Sequence, residues 1–185
     1  MATARKLFRL FKTANEYHKI LALLSKGSDD DFDLYMNILN RIFFGAYWIF
    51  DNLTVLSAIK FLKYDKAKMA KNASWCWFLA LLVGLILYLR NLIYESHNAI
   101  TLEKAIQDAN AKEKGEDIEK KNKDLAAVRK KKVDLWLNIA KTLGDMITAS
   151  QGAGIPKALI GREFNDGAIG IGGFVSATIT NYQLY

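Results

Sequence analysis

Hydrophobic positions in this chain recur at three- and four-residue steps over most of its length, and in two places they run together for the thickness of a bilayer. From Arg5 to Leu24, Leu7, Phe8, Leu10, Phe11, Ala14, Tyr17, Ile20, Leu21 and Leu24 fall on one side of a helix. Arg5, Arg9, Lys12, Glu16 and Lys19 fall on the other. The pattern predicts an amphipathic helix that lies in a headgroup layer or packs on its own protein. Gly27 ends it, and Ser28 with Asp29, Asp30 and Asp31 supplies a cap and acids for the next helix. From Ile42 to Ile59 the only charge is Asp51, and the segment reads as a helix half buried against its neighbours rather than a full span.

Asn72 to Leu89 holds eighteen consecutive uncharged residues, with Trp75 and Trp77 near one end and Tyr88 and Tyr94 near the other. Apolar core and aromatic flanks predict a first transmembrane helix over 72–94. Lys60, Lys63, Lys66, Lys68 and Lys71 precede it, so that side is expected to face the cytosol. Arg90 is expected to snorkel toward the far interface or, in an antiparallel packing, to pair with Asp51. Residues 103–132 hold seven acids and ten bases and read as a solvated spacer or a loose helical hairpin, after which Leu135, Trp136, Ile139, Leu143 and Ile147 resume helical spacing. Gln151 to Pro156 reads as a loop.

Gly167 to Tyr185 carries no charge and predicts a second, glycine-rich transmembrane helix. Gly167 opens it. Ala168 with Gly172, Gly172 with Ser176, and Gly173 with Ala177 place small residues four apart for close helix packing, with Gly45 and Gly84 as expected counterparts. The predicted fold is therefore all-α: an integral membrane bundle of two transmembrane helices plus amphipathic helices. Its divisions are 1–71 (amphipathic and apolar helices), 72–94 (first span), 95–166 (charged hairpin and amphipathic helix) and 167–185 (second span).

Charge sharpens the picture. A net charge of +7 in 185 residues fits nucleic acid or anionic lipid, but here the bases flank apolar helices, which points to a lipid surface and away from nucleic acid. The expected membrane-surface residues are Arg5, Lys6, Leu7, Phe8, Arg9, Leu10, Phe11 and Lys12. His18 and His97 sit on different helices without ligand spacing, and Cys76 has no second cysteine in the chain. No serine lies in a nucleophile motif, and the glycine clusters match no phosphate-binding order. The reading is of a non-enzyme without cofactor or metal.

Several stretches in order resemble the peroxin-eleven family of peroxisomal membrane proteins: RKLFRLFK at 5–12, YWIFDNLTVLSAIKFL at 47–62, KKKVDLWLNIAKTLGDMITA at 130–149 and FNDGAIGIGGFVSATITNYQLY at 164–185. Beside that family the chain lacks the usual N-terminal part. The resemblance implies residence in the peroxisomal or glycosomal membrane, multi-pass, with two spans and both termini cytosolic. It also implies self-association, membrane curvature and elongation, and fission through an adaptor and a dynamin-like GTPase. The alternative it carries is a pore or transporter for small metabolites, for which Asp51 and Arg90 are the intramembrane polar candidates.

Overall fold

The computed structural model describes residues 12–27, 30–111 and 115–184, and among them the regular structure is all helical. Among the described residues six helices follow one another: α1 (Lys12–Lys26), α2 (Asp31–Ala58), α3 (Lys66–Ala111), α4 (Gly115–Ala153), α5 (Ile155–Ile160) and α6 (Asp166–Leu184). The expected surface residues Arg5 to Phe11 lie outside the described residues.

Local chemistry sets the boundaries. Gly27 ends α1 with a φ of +65°, where a side chain would be strained. Ser28 lies outside the described residues, and the cap of α2 is Asp30, whose Oδ1 accepts from the N–H groups of Phe32 (3.0 Å) and Asp33 (3.3 Å). Asp65 does the same for α3, accepting from Ala67 at 2.9 Å and Lys68 at 3.2 Å. The expected loop at 151–156 shrinks to one break: α4 runs on to Ala153, Gly154 turns the chain at φ +77°, and Pro156 sits in the first turn of α5.

α3 is 46 residues, about 69 Å at 1.5 Å per residue, so the expected span is the first half of a longer helix. Each long helix runs antiparallel to its neighbour in the chain. On one side of α3, Asn40 donates to the Ala80 carbonyl at 2.6 Å and Tyr47 stacks on Trp77 at 5.7 Å. On the other, Lys131 pairs with Glu95, Arg129 with Glu103 at 3.0 Å, and Gly152 lies against Ser74. A constant antiparallel register therefore holds α4 to α3 for about 30 Å, from Glu95 to Ser74. Among the described residues the backbones of α2 and α4 do not come close to one another, and the backbone of α6 comes close only to that of α4. The result is an open succession of helices with a thin core of Val55, Ala73, Ala80, Leu81, Val83, Leu87, Leu135, Ile139 and Ala149.

Candidate membrane interface

α3 has two unlike sides. Ala80, Leu81, Val83 and Leu87 are buried against α2 and α4, while Leu82, Ile86, Leu89 and Ile93, spaced four, three and four apart, are 38 to 64% exposed. Among the described residues α3 is the one helix long and apolar enough to cross a bilayer, and only 28% of its most apolar stretch is buried. A soluble core helix would hide most of that surface from water; here most of it is exposed.

The second expected span does not meet the same standard. α6 lacks charge beyond Asp166, yet four glycines with Ser176, Thr178, Thr180, Asn181 and Gln183 dilute its apolar content. Uncharged is not the same as apolar. Its small residues do pack closely, though not with the expected counterparts. Gly45 meets Glu16 of α1 and Gly84 meets Asn40 of α2. Gly172 instead crosses Gly144 of α4, where a Cβ on either residue would lie within 2.7 Å of the other's carbonyl oxygen. Ser176 is buried beside it, whereas Gly173 and Ala177 are exposed on another side, and Gly167 and Ala168 belong to the first turn capped by Asn165. A glycine inside the apolar-periodic run 133–147 was the sequence signal for Gly144.

α1 docks through polar contacts. Glu16 is buried, paired with Lys19 at 2.7 Å and with Arg41 of α2 at 3.3 Å, and Lys12 lies over the Trp48 ring at 4.5 Å. Tyr17, Leu21 and Leu24 point outward, 44 to 60% exposed. The apolar side that amphipathic spacing predicted is thus left exposed, while the buried side is held by an ion pair that spacing could not reveal.

Asp51 and Arg90 are not brought together. Arg90 bonds Asp33 and Asp30 at the start of α2, and its guanidinium lies 4.9 Å from the Phe32 ring. Asp51 is buried 18 residues, about 27 Å, further along α2. The pairing failed because the antiparallel register sets Arg90 opposite the beginning of α2, not its end. Asp30 is held below the usual carboxylate range, first by the Arg90 guanidinium and then by the Asp33 and Phe32 N–H groups. Among the described residues no three His, Cys, Asp or Glu side chains gather as metal ligands do.

The sequence profile of peroxisomal biogenesis factor 11 (PEX11) matches residues 1–185. The chain belongs to the peroxisomal biogenesis factor 11 family. It is 31% identical to the peroxisomal membrane protein 11 homolog of Dictyostelium discoideum, over 99% of this chain and 74% of that one. It is 30% identical to the peroxisomal membrane protein PMP27 of Saccharomyces cerevisiae, over 66% of this chain and 52% of the yeast protein. No solved structure matches. For this PEX11-family chain the exposed stripe of α3, the outward ridge of α1 and the glycine crossing of α6 are the features to which a membrane role attaches.

Proposed function

We propose that this chain is a non-enzymatic, multi-pass protein of the peroxisomal or glycosomal membrane that promotes curvature, elongation and division of the organelle as a homo-oligomer. The observation that carries the reading is the exposed apolar stripe of α3, joined to membership of a family whose relatives above are named as peroxisomal membrane proteins. α3 crosses with its lysine-rich start toward the cytosol. Because Gly152 reaches Ser74, α4 returns beside α3, and residues 60–71 and 154–166 share the cytosolic face, while Asp30 and Asp33, held by Arg90, lie toward the far one. α6, too polar to cross unaided, adds to the embedded set by packing on α4.

The physical mechanism is a wedge. Leu7, Phe8, Leu10 and Phe11 bury in one leaflet, Arg5, Lys6, Arg9 and Lys12 hold anionic headgroups, and Tyr17, Leu21 and Leu24 of α1 continue the apolar edge. The Gly173 and Ala177 side of α6 clusters copies and so concentrates the wedges. The segments that share the cytosolic face offer a surface for a fission adaptor and a dynamin-like GTPase. Reconstitution into anionic vesicles is expected to give tubules by electron microscopy, and Phe8→Glu with Phe11→Glu is expected to abolish them. Wild-type chain that inserts but leaves vesicles round would sink the remodelling reading.

A metabolite pore is the second reading. It draws on an open cleft of about 220 Å3 where Asn40 and Arg41 meet Gly84, Tyr88 and Thr142. Planar-bilayer channels whose selectivity changes with Arg41→Gln would favour it, and absence of channels removes it.

A further inference from the structure

Where the uncharged run Asn72 to Leu89 ends, α2, α3 and α4 enclose an open cavity of about 390 Å3, a size common for small-ligand sites. Arg90, the first charge beyond the run, lies in its wall, so the cavity sits at the depth of a headgroup layer if α3 crosses a bilayer. Asp30 and Asp33 line it from α2, Glu95 from α3 and Lys131 from α4. Three carboxylates face two cations, which leaves one negative charge in excess.

The charges are also ordered in depth. The Glu95 side chain is 5% exposed at the floor, held by Lys131 and by Asn98 at 3.5 Å, while the Lys131 side chain is 62% exposed at the mouth. Tyr94 lines the same cavity, and the adjacent residue on α3, Ile93, belongs to the exposed apolar stripe. An anionic interior, an aromatic wall and an exposed cation at the mouth match a ligand whose ammonium enters first and whose phosphate stays outside.

We propose that this cavity binds the headgroup of a zwitterionic phospholipid of the surrounding bilayer. The ammonium lies against Asp33, Glu95 and the Tyr94 ring, the phosphate meets Lys131, and the acyl chains run down the side of α3 that carries Ile93 and Leu89. The assignment rests on the membrane reading above and adds a selectivity opposite to that of the basic N-terminal segment: the cavity's excess negative charge rejects an anionic headgroup.

The full chain, purified in mild detergent, is mixed with phosphatidylcholine, phosphatidylethanolamine or phosphatidylglycerol of identical chains, and retained lipid is counted by native mass spectrometry. One retained zwitterionic lipid per chain is expected, with phosphatidylglycerol retained about tenfold less, the scale of one charge-assisted contact. Asp33→Asn, which keeps a hydrogen-bond acceptor for Arg90, and the surface change Tyr94→Ala each lower retention while helicity by circular dichroism stays intact. Equal retention of phosphatidylglycerol, or retention untouched by both variants, would overturn the assignment. So would binding of soluble phosphocholine without retention of the lipid. Flotation with vesicles separates the two levels: chain that fails to float defeats the membrane reading, and chain that floats yet retains no zwitterionic lipid defeats only the cavity.

Discussion

Gly144 of α4 and Gly172 of α6 cross back to back, so close that a Cβ on Gly144 would fall 2.6 Å from the Gly172 carbonyl oxygen and a Cβ on Gly172 2.7 Å from that of Gly144. Both obstacles are backbone atoms, which cannot swing aside as a flexible side chain would. Gly172→Val therefore pushes α6 off α4 and destabilises their packing by about 1 to 3 kcal/mol, the usual range for overpacking. Gly173→Val, at a position with no neighbour within 4 Å, leaves that packing unchanged. The readout is disulfide trapping of α4 to α6 between Asn138→Cys and Gln183→Cys, whose native side chains meet at 3.1 Å. Trapping as efficient in the Gly172 variant as in the parent would disprove the crossing.

Arg90 ties α3 to the start of α2, and the tie is acid-sensitive. Asp30 has its carboxyl pKa lowered in the folded chain, so its contribution is complete above the ordinary carboxylate pKa and is lost as pH falls through the folded value. Thermal unfolding in detergent is expected to show a midpoint that drops on acidification toward pH 3, with a smaller drop in Arg90→Gln. An identical pH profile in the two proteins would remove Arg90 as the cause.

Asn40 is buried and donates to the Ala80 carbonyl in the middle of the apolar stretch of α3. Asn40→Ala deletes that bond, worth about 1 kcal/mol net, and adds a small void. A lower unfolding midpoint is expected, together with faster hydrogen exchange in both α2 and α3. Loss confined to α2 would mean that the bond does not couple the helices.

In the proposed topology the return of α4 along α3 sets which segments share a membrane face. A Cβ at Gly154 would lie 3.9 Å from the Lys71 side chain. In a Cys76→Ser background, Lys68→Cys and Lys157→Cys are expected to react with a membrane-impermeant maleimide from the same side of intact organelles, and Lys121→Cys only after permeabilisation. Opposite-side labelling of positions 68 and 157 would refute the arrangement.

Much of this was legible from residue order alone. The 3.6-residue recurrence of apolar positions gave an all-helical chain, because one stripe per helix has to be removed from water. The eighteen uncharged residues from Asn72 gave the strongest membrane candidate, since the transfer of charge into hydrocarbon is a local property of sequence. The turns at Gly27 and Gly154 were marked by residues that tolerate positive φ.

Tertiary structure alone decided which residues meet. Asp30 and Asp33 rather than Asp51 became the partners of Arg90, and Gly144 rather than Gly45 or Gly84 became the counterpart of Gly172. Glu16 left the expected polar stripe of the first helix to be buried against Arg41. Periodicity states which side of a helix is apolar, but it carries no information on the register between helices. That register is set by summed contacts across tens of residues, and it is what gathers Asp30, Asp33, Glu95 and Lys131 around one cavity from three separate stretches of the chain.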